Sequence, residues 1–133
     1  MNTKQIIENF MNFIKEERFK QAERLVKKYS RNKGNEIGKK LLSLGFLYGT
    51  AENYDLAIFC LELSEKISRD INIKGKAKKY LAIAHALLGS RLTEAGLFEE
   101  AEAHYKKAIS IRPDFSHFHN NYAILLRKWL MFQ

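Results

Sequence analysis

The chain has little of what interrupts a helix: its 133 residues include one proline, Pro113, and seven glycines. Proline fixes φ and removes a backbone donor, and the many turns of an all-β fold draw on both residue types. Their scarcity argues against a turn-rich β architecture and for helices. Cysteine is nearly absent as well. Cys60 has no partner for an intramolecular bridge, so a disulfide framework is excluded and nothing points to an oxidising compartment. It lies in the run Ala57-Ile58-Phe59-Cys60-Leu61 and reads as a small buried hydrophobe. Long apolar runs are missing too. The most apolar stretch, Leu41 to Ala51, is broken by Ser43, Gly45 and Gly49 and falls short of the ~20 residues a membrane span requires. The first ten residues carry Glu8 and no uninterrupted apolar stretch, unlike a secretory signal. The expected setting is the cytoplasm, with no membrane association.

Charge of one sign is never concentrated. The net charge of +8 comes from 23 basic and 15 acidic residues, with no block of five like charges. Such a mixed surface with a basic bias favours acidic partners without indicating a basic tail. Residues 116–133 carry two basic residues and no acid.

Catalytic motifs are equally scarce. There is no glycine-rich phosphate loop, and Gly34 and Gly38 read as turn residues at a helix boundary. Glu99-Glu100 opens a helix, where the dipole favours acids, so it reads as structural. No serine or cysteine sits in a nucleophile motif. His117 and His119, two apart, face different sides of a helix. His85 and His104 fall on separate helices, with no cysteine nearby in sequence, and read as ordinary core or surface histidines. No catalytic residue, metal site or cofactor is expected.

What the chain does have is a repeat. Phe19-Lys20-Gln21-Ala22 is followed by Val26 and Tyr29, Tyr54-Asp55-Leu56-Ala57 by Leu61 and Ser64, and Phe98-Glu99-Glu100-Ala101 by Tyr105 and Ala108. In each, the positions i, i+3, i+7 and i+10 form one face of an amphipathic helix. A second amphipathic helix lies upstream of each: Ile6, Phe10 and Phe13; then Leu41, Leu44-Gly45 and Tyr48; then His85, Leu88-Gly89 and Leu92. A further copy begins with Asp114, His119, Asn121-Tyr122-Ala123 and Leu126.

These segments resemble the tetratricopeptide repeat, a helix-turn-helix unit of about 34 residues. The third is the clearest, with Leu88-Gly89, Gly96, Phe98, Ala101, Tyr105, Ala108 and Pro113 at the positions the pattern requires. The second matches at Leu44-Gly45, Tyr48, Tyr54 and Ala57 but has Arg69 where proline is usual. The first has Asn9-Phe10 in place of Leu-Gly. The resemblance implies an all-α superhelix of three helix-turn-helix repeats plus a C-terminal capping helix. The units are expected at about 3–37, 38–72 and 73–115, with the last helix over 116–133, in a single domain 1–133. Ala22, Ala57 and Ala101 are small where two helices of a hairpin approach closely. Gly45 and Gly89 lie inside helices, at a cost of about 1 kcal/mol relative to alanine, for which close backbone approach compensates. The repeat distance grows from 35 residues (Ala22 to Ala57) to 44 (Ala57 to Ala101). A seven-residue insertion turns a helix face by only ~20°. The spacing therefore predicts one long helix from about Ile73 to Ala95, with Asp70-Ile71-Asn72 lengthening the preceding loop.

In this family the first helices of successive units line a concave groove that commonly holds a peptide or partner helix. Carried over, the groove comprises Lys4, Ile7, Met11 and Ile14 from the first unit. Lys39, Leu42, Phe46 and Thr50 follow from the second, then Lys76, Lys79, Ile83, Ala86 and Ser90 from the third. The last helix adds His117, Asn120, Ile124 and Arg127. An apolar floor with basic ends suits an amphipathic helix with an acidic flank. The family's carboxylate clamp is not reproduced, because Ile7 and Met11 stand where hydrogen-bond donors are needed. The C-terminal helix is expected to pack back through Tyr122, Leu126 and Trp129. Its apolar Leu125, Trp129, Leu130 and Phe132 offer an alternative role, a homodimer or larger scaffold assembled through that helix. Nucleic-acid binding through basic ridges is the least favoured reading.

Overall fold

A computed structural model describes all 133 residues, and every element is a helix: α1 (Thr3–Lys15), α2 (Phe19–Thr50), α3 (Tyr54–Ile67), α4 (Ile71–Glu94), α5 (Phe98–Ile111) and α6 (Ser116–Met131). α2 is two helices joined at Lys33, whose φ of −123° and ψ of 17° break the helical path. Its first arm (19–32) returns along α1 and its second arm (34–50) is followed by α3. α4 and α5 form the third pair, and α6 packs on both of them.

The three hairpin turns are built alike. At each, two backbone bonds close the end of the first helix: Glu17 N–H to Ile14 O and Arg18 N–H to Phe13 O; Glu52 to Gly49 and Asn53 to Tyr48; Gly96 to Thr93 and Leu97 to Leu92. This is the Schellman arrangement, which needs one residue in the left-handed region. Glu17, Glu52 and Gly96 occupy it, with φ of 59°, 63° and 78°. Five residues past each lie Ala22, Ala57 and Ala101, all with no exposed surface.

Side-chain size explains how closely the pairs approach. A Cβ on Gly45 would stand 2.6 Å from Leu61, and one on Gly89 3.1 Å from the Tyr105 ring. Gly34 and Gly38 correct the sequence reading: they are not turn residues but lie in the second arm of α2, against the end of α3. A Cβ on Gly34 would stand 2.5 Å from the Ile67 carbonyl oxygen, and one on Gly38 would meet the Ser68 hydroxyl. Ser64 donates its hydroxyl to the Gly38 carbonyl at 2.7 Å across this contact.

The long helix is present and starts earlier than the spacing suggested. Asp70 caps it, accepting from the N–H groups of Asn72 and Ile73 at 2.8 and 3.4 Å. Ile71 and Asn72 therefore belong to its first turn rather than to the loop. Asn35 accepts from the N–H groups of Arg69 and Asp70 at 2.8 and 3.0 Å, tying this connection to α2.

The core runs the length of the stack. Ile6, Phe10, Val26, Ile37, Leu41 and Cys60 fill one end, and Ala82, Ala101, Tyr105, Phe118 and Leu125 the other. Ala57, Leu61, Leu81 and Ala84 join them. On α6 the packed face is Phe118, Tyr122, Leu125 and Trp129, with Leu126 exposed. That is the i, i+4, i+7, i+11 stripe of one helix face, and it replaces the expected Leu126 with Leu125.

Candidate functional site: a groove between α2 and α4

The second arm of α2 and helix α4 run side by side with α3 behind them. Gly45 and Gly49 let that arm settle closely on Ala57 and Leu61 of α3, and a trough floored by these residues opens between the arm and α4. Its volume is about 320 Å³, and Phe46, Tyr80, Ile83 and Leu87 stand around it. The Phe46 and Tyr80 rings meet at 5.6 Å across it. Phe46 is nonetheless 51% exposed, Leu87 45% and Ile83 36%. Three large apolar side chains thus face solvent around one cavity.

Past Ile83, on the side of α4 that faces Arg112 and α6, the surface changes character. Ile83 also borders a small depression with Lys79, Arg112, Phe115 and Phe118. Lys79 and Arg112 in turn border a shallow, open one with Lys76 and Gly75. The surface therefore grades from apolar at Phe46 and Leu87 to basic at the start of α4.

The sequence-derived groove residues divide on this geometry. Phe46, Ile83, Lys76 and Lys79 border these depressions. Lys39 is exposed on the same arm, seven residues before Phe46, and Leu42 is half-buried against the Leu61–Leu81 cluster. On α1, Lys4 is exposed and Ile7 and Met11 pack partly into the core. Ile14 is only 6% exposed and is a core residue, a correction to its placement in the groove. Asn120, Ile124 and Arg127 are exposed on α6 but border none of the three depressions.

The C-terminal set also divides. Leu125 has no exposed surface, because it faces the Tyr105–Phe118 cluster of its own chain, and this removes it from any contact with a second copy. Trp129 stacks on Phe98 at 6.0 Å. Leu130 and Phe132 are 70% and 78% exposed, Phe132 with its ring 5.7 Å from Phe98.

Two features escaped the sequence reading. Tyr80 and Leu87 were not counted in the groove, although they lie three before and four after Ile83 on one helix face. The second is a pair of histidines. His85 and His104 meet Nδ1 to Nδ1 at 2.9 Å, with rings 5.1 Å apart. One Nδ1–H donates and the other Nδ1 accepts, so both rings cannot be protonated in this arrangement. Burial pushes the His85 pKa down to about 4 and also lowers that of His104. The signal was in the turn: His85 lies ten residues before Ala95 and His104 nine after it, so a tight fold-back sets them opposite. No group of three or more His, Cys, Asp or Glu side chains is placed to hold a metal ion. Burial pushes the Cys60 thiol up to about 12, which leaves it un-ionised and a poor nucleophile.

The hairpin that carries the histidines also carries the comparison with known proteins. Residues 82–115, from within α4 through the turn at Gly96 and along α5, match the family model of the tetratricopeptide repeat. The chain contains a tetratricopeptide repeat. Gly89 against Tyr105, the buried Ala101 and Ala108, and Pro113 all lie inside the matched span. The other two pairs have the same turn and the same buried alanine, so the whole chain has a tetratricopeptide-like helical fold. Such repeats generally mediate protein–protein interaction and are typically non-catalytic. No curated protein and no solved structure matches the chain. No helix is long and apolar enough to cross a membrane.

Proposed function

We propose that this protein is a non-catalytic binding module that seats a helix or peptide of a partner protein in the groove between α2 and α4. The observation that carries this reading is the exposure of Phe46, Ile83 and Leu87 around one apolar cavity. Covering such surface stabilises a complex by roughly 25 cal/mol per Å² before the costs of association. Lys76, Lys79 and Arg112 beside the cavity favour an acidic partner over a neutral one. A nucleic acid would engage these cations but leave the apolar trough unused. The reading includes a cytoplasmic setting, supported by the single buried thiol.

A second reading, a homodimeric scaffold assembled through α6, rests on the exposed Leu130, Met131 and Phe132. Light scattering and affinity capture separate the two. The groove reading expects a monomer whose captured partner is lost with Phe46→Glu and kept with Leu130→Glu plus Phe132→Glu. A dimer that the latter pair makes monomeric, with capture indifferent to Phe46→Glu, would transfer the function to α6.

A further inference from the structure

We infer that the groove is directional: its occupant is an amphipathic helix with a bulky apolar anchor between Phe46 and Leu87 and acidic residues toward the start of α4, against Lys76, Lys79 and Arg112. This rests on the groove reading above and adds the occupant's polarity and spacing.

The first support is the order of the depressions. The cavity at Phe46 and Leu87 shares Ile83 with a depression on the α6 side of α4, and that one shares Lys79 and Arg112 with the depression at Lys76, toward the start of the helix. The second is the state of the cations. Lys74 donates to the Glu65 carbonyl at 2.6 Å and Lys78 pairs with the Glu65 carboxylate at 3.7 Å, both toward α3. Lys76 and Lys79, on the groove side, make no ion pair, and Arg112 reaches only the exposed Asp114, at 4.0 Å.

The other end of the groove offers no such cation. Arg91 is engaged by the Glu52 carboxylate at 2.8 Å and the Glu52 carbonyl at 3.0 Å, and its guanidinium lies 5.0 Å from the Tyr54 ring centre. The charge pattern therefore selects one orientation. Leu87 lies eight residues from Lys79 and eleven from Lys76, which is about 12 and 16 Å along α4. A helix lying in the trough matches this with acidic residues about 8–11 positions from its anchor, side chains entering between the two walls in the helix-in-groove manner.

Displayed libraries of 18-residue helical peptides, selected on the protein and counter-selected on Phe46→Glu, test this. Selected peptides should place Asp or Glu about 8–11 residues from a bulky apolar side chain. By fluorescence anisotropy, Lys76→Glu with Lys79→Glu should weaken their binding by about tenfold or more, consistent with loss and reversal of two charge contacts. Lys20→Glu with Arg24→Glu makes the same charge change on the outer arm of α2 and should shift affinity less than about twofold. Acids beside the anchor, acids at no fixed distance, or equal responses to the two double variants would overturn the directionality while binding stayed Phe46-dependent. If no selected peptide depends on Phe46, the groove reading itself falls and the inference with it. A labelled oligouridylate that binds through Lys76 and Lys79 and ignores Phe46→Glu would likewise overturn it, in favour of a phosphate backbone.

Discussion

His85 and His104 hold each other in neutral form inside the α4–α5 hairpin, and this makes the fold sensitive to acid. The unfolded chain takes up protons on these rings near the ordinary histidine value of 6.5, whereas folded His85 resists until about 4. Stability from this site is complete above pH 6.5 and is lost as the pH falls from there toward 4. At 1.36 kcal/mol per unit, His85 alone contributes about 3 kcal/mol across that window. The melting temperature should therefore fall between pH 6.5 and 4, and fall less steeply in His85→Leu with His104→Leu. Parallel profiles for the two proteins would show that the pair does not control the response. A second single-residue effect concerns Gly34. Alanine would gain about 1 kcal/mol of helix propensity, but its Cβ meets the Ile67 carbonyl oxygen, a backbone atom that cannot swing away. Gly34→Ala should cost about 1–3 kcal/mol net, as overpacking does, and a denaturant midpoint at or above wild type would contradict the contact. Neither site was legible in the sequence. A glycine near a helix boundary looks the same whether it turns the chain or lets a neighbour in, and two histidines 19 apart are unrelated until a turn is placed between them.

The turns show which parts of the repeat sequence alone can fix. Glu17 and Glu52 adopt the left-handed conformation that Gly96 adopts, with no glycine to mark it. For an L-residue this costs about 1–2 kcal/mol, partly offset on substitution by the greater freedom of glycine in the unfolded chain. Glu17→Gly should accordingly stabilise the protein by about 0.5–1 kcal/mol and Gly96→Ala should destabilise it by a similar amount. Opposite signs in urea unfolding would indicate that the three turns are not equivalent. Ala101→Leu should lose about 1–3 kcal/mol, because the position is fully buried between α4 and α5. Helix α4 was legible because a seven-residue insertion keeps its apolar face aligned. The packed face of α6 was not. Leu125 and Leu126 are adjacent and equally apolar, so periodicity cannot choose between them, and the position of α5 decides.

Taken together, the helix pairs stack so that the second arm of α2 and α4 become neighbours although 20 residues separate Thr50 from Ile71. Groove residues within these two elements, such as Phe46, Ile83 and Lys79, follow from helical periodicity. Those assigned to α1 and α6 depend on the curvature of the stack, which periodicity does not contain. Ile14, by contrast, fails on periodicity itself, four and eight residues past the buried Phe10 and Ile6, and Ala86 of α4 is buried as well. The partition of the surface into an apolar trough with a basic end also predicts a weak salt response for binding, carried by a few exposed charges. A steep log-linear loss of affinity, as phosphate contacts produce, would mark a different kind of partner. The most direct test of the groove is photo-crosslinking, with benzoylphenylalanine placed at Leu87 and, separately, at Leu130, in extracts of the source cells. The account predicts an adduct between Leu87 and a different protein, absent when Phe46→Glu is added. Adducts from Leu130 alone, or a product with twice the mass of this chain, would contradict it.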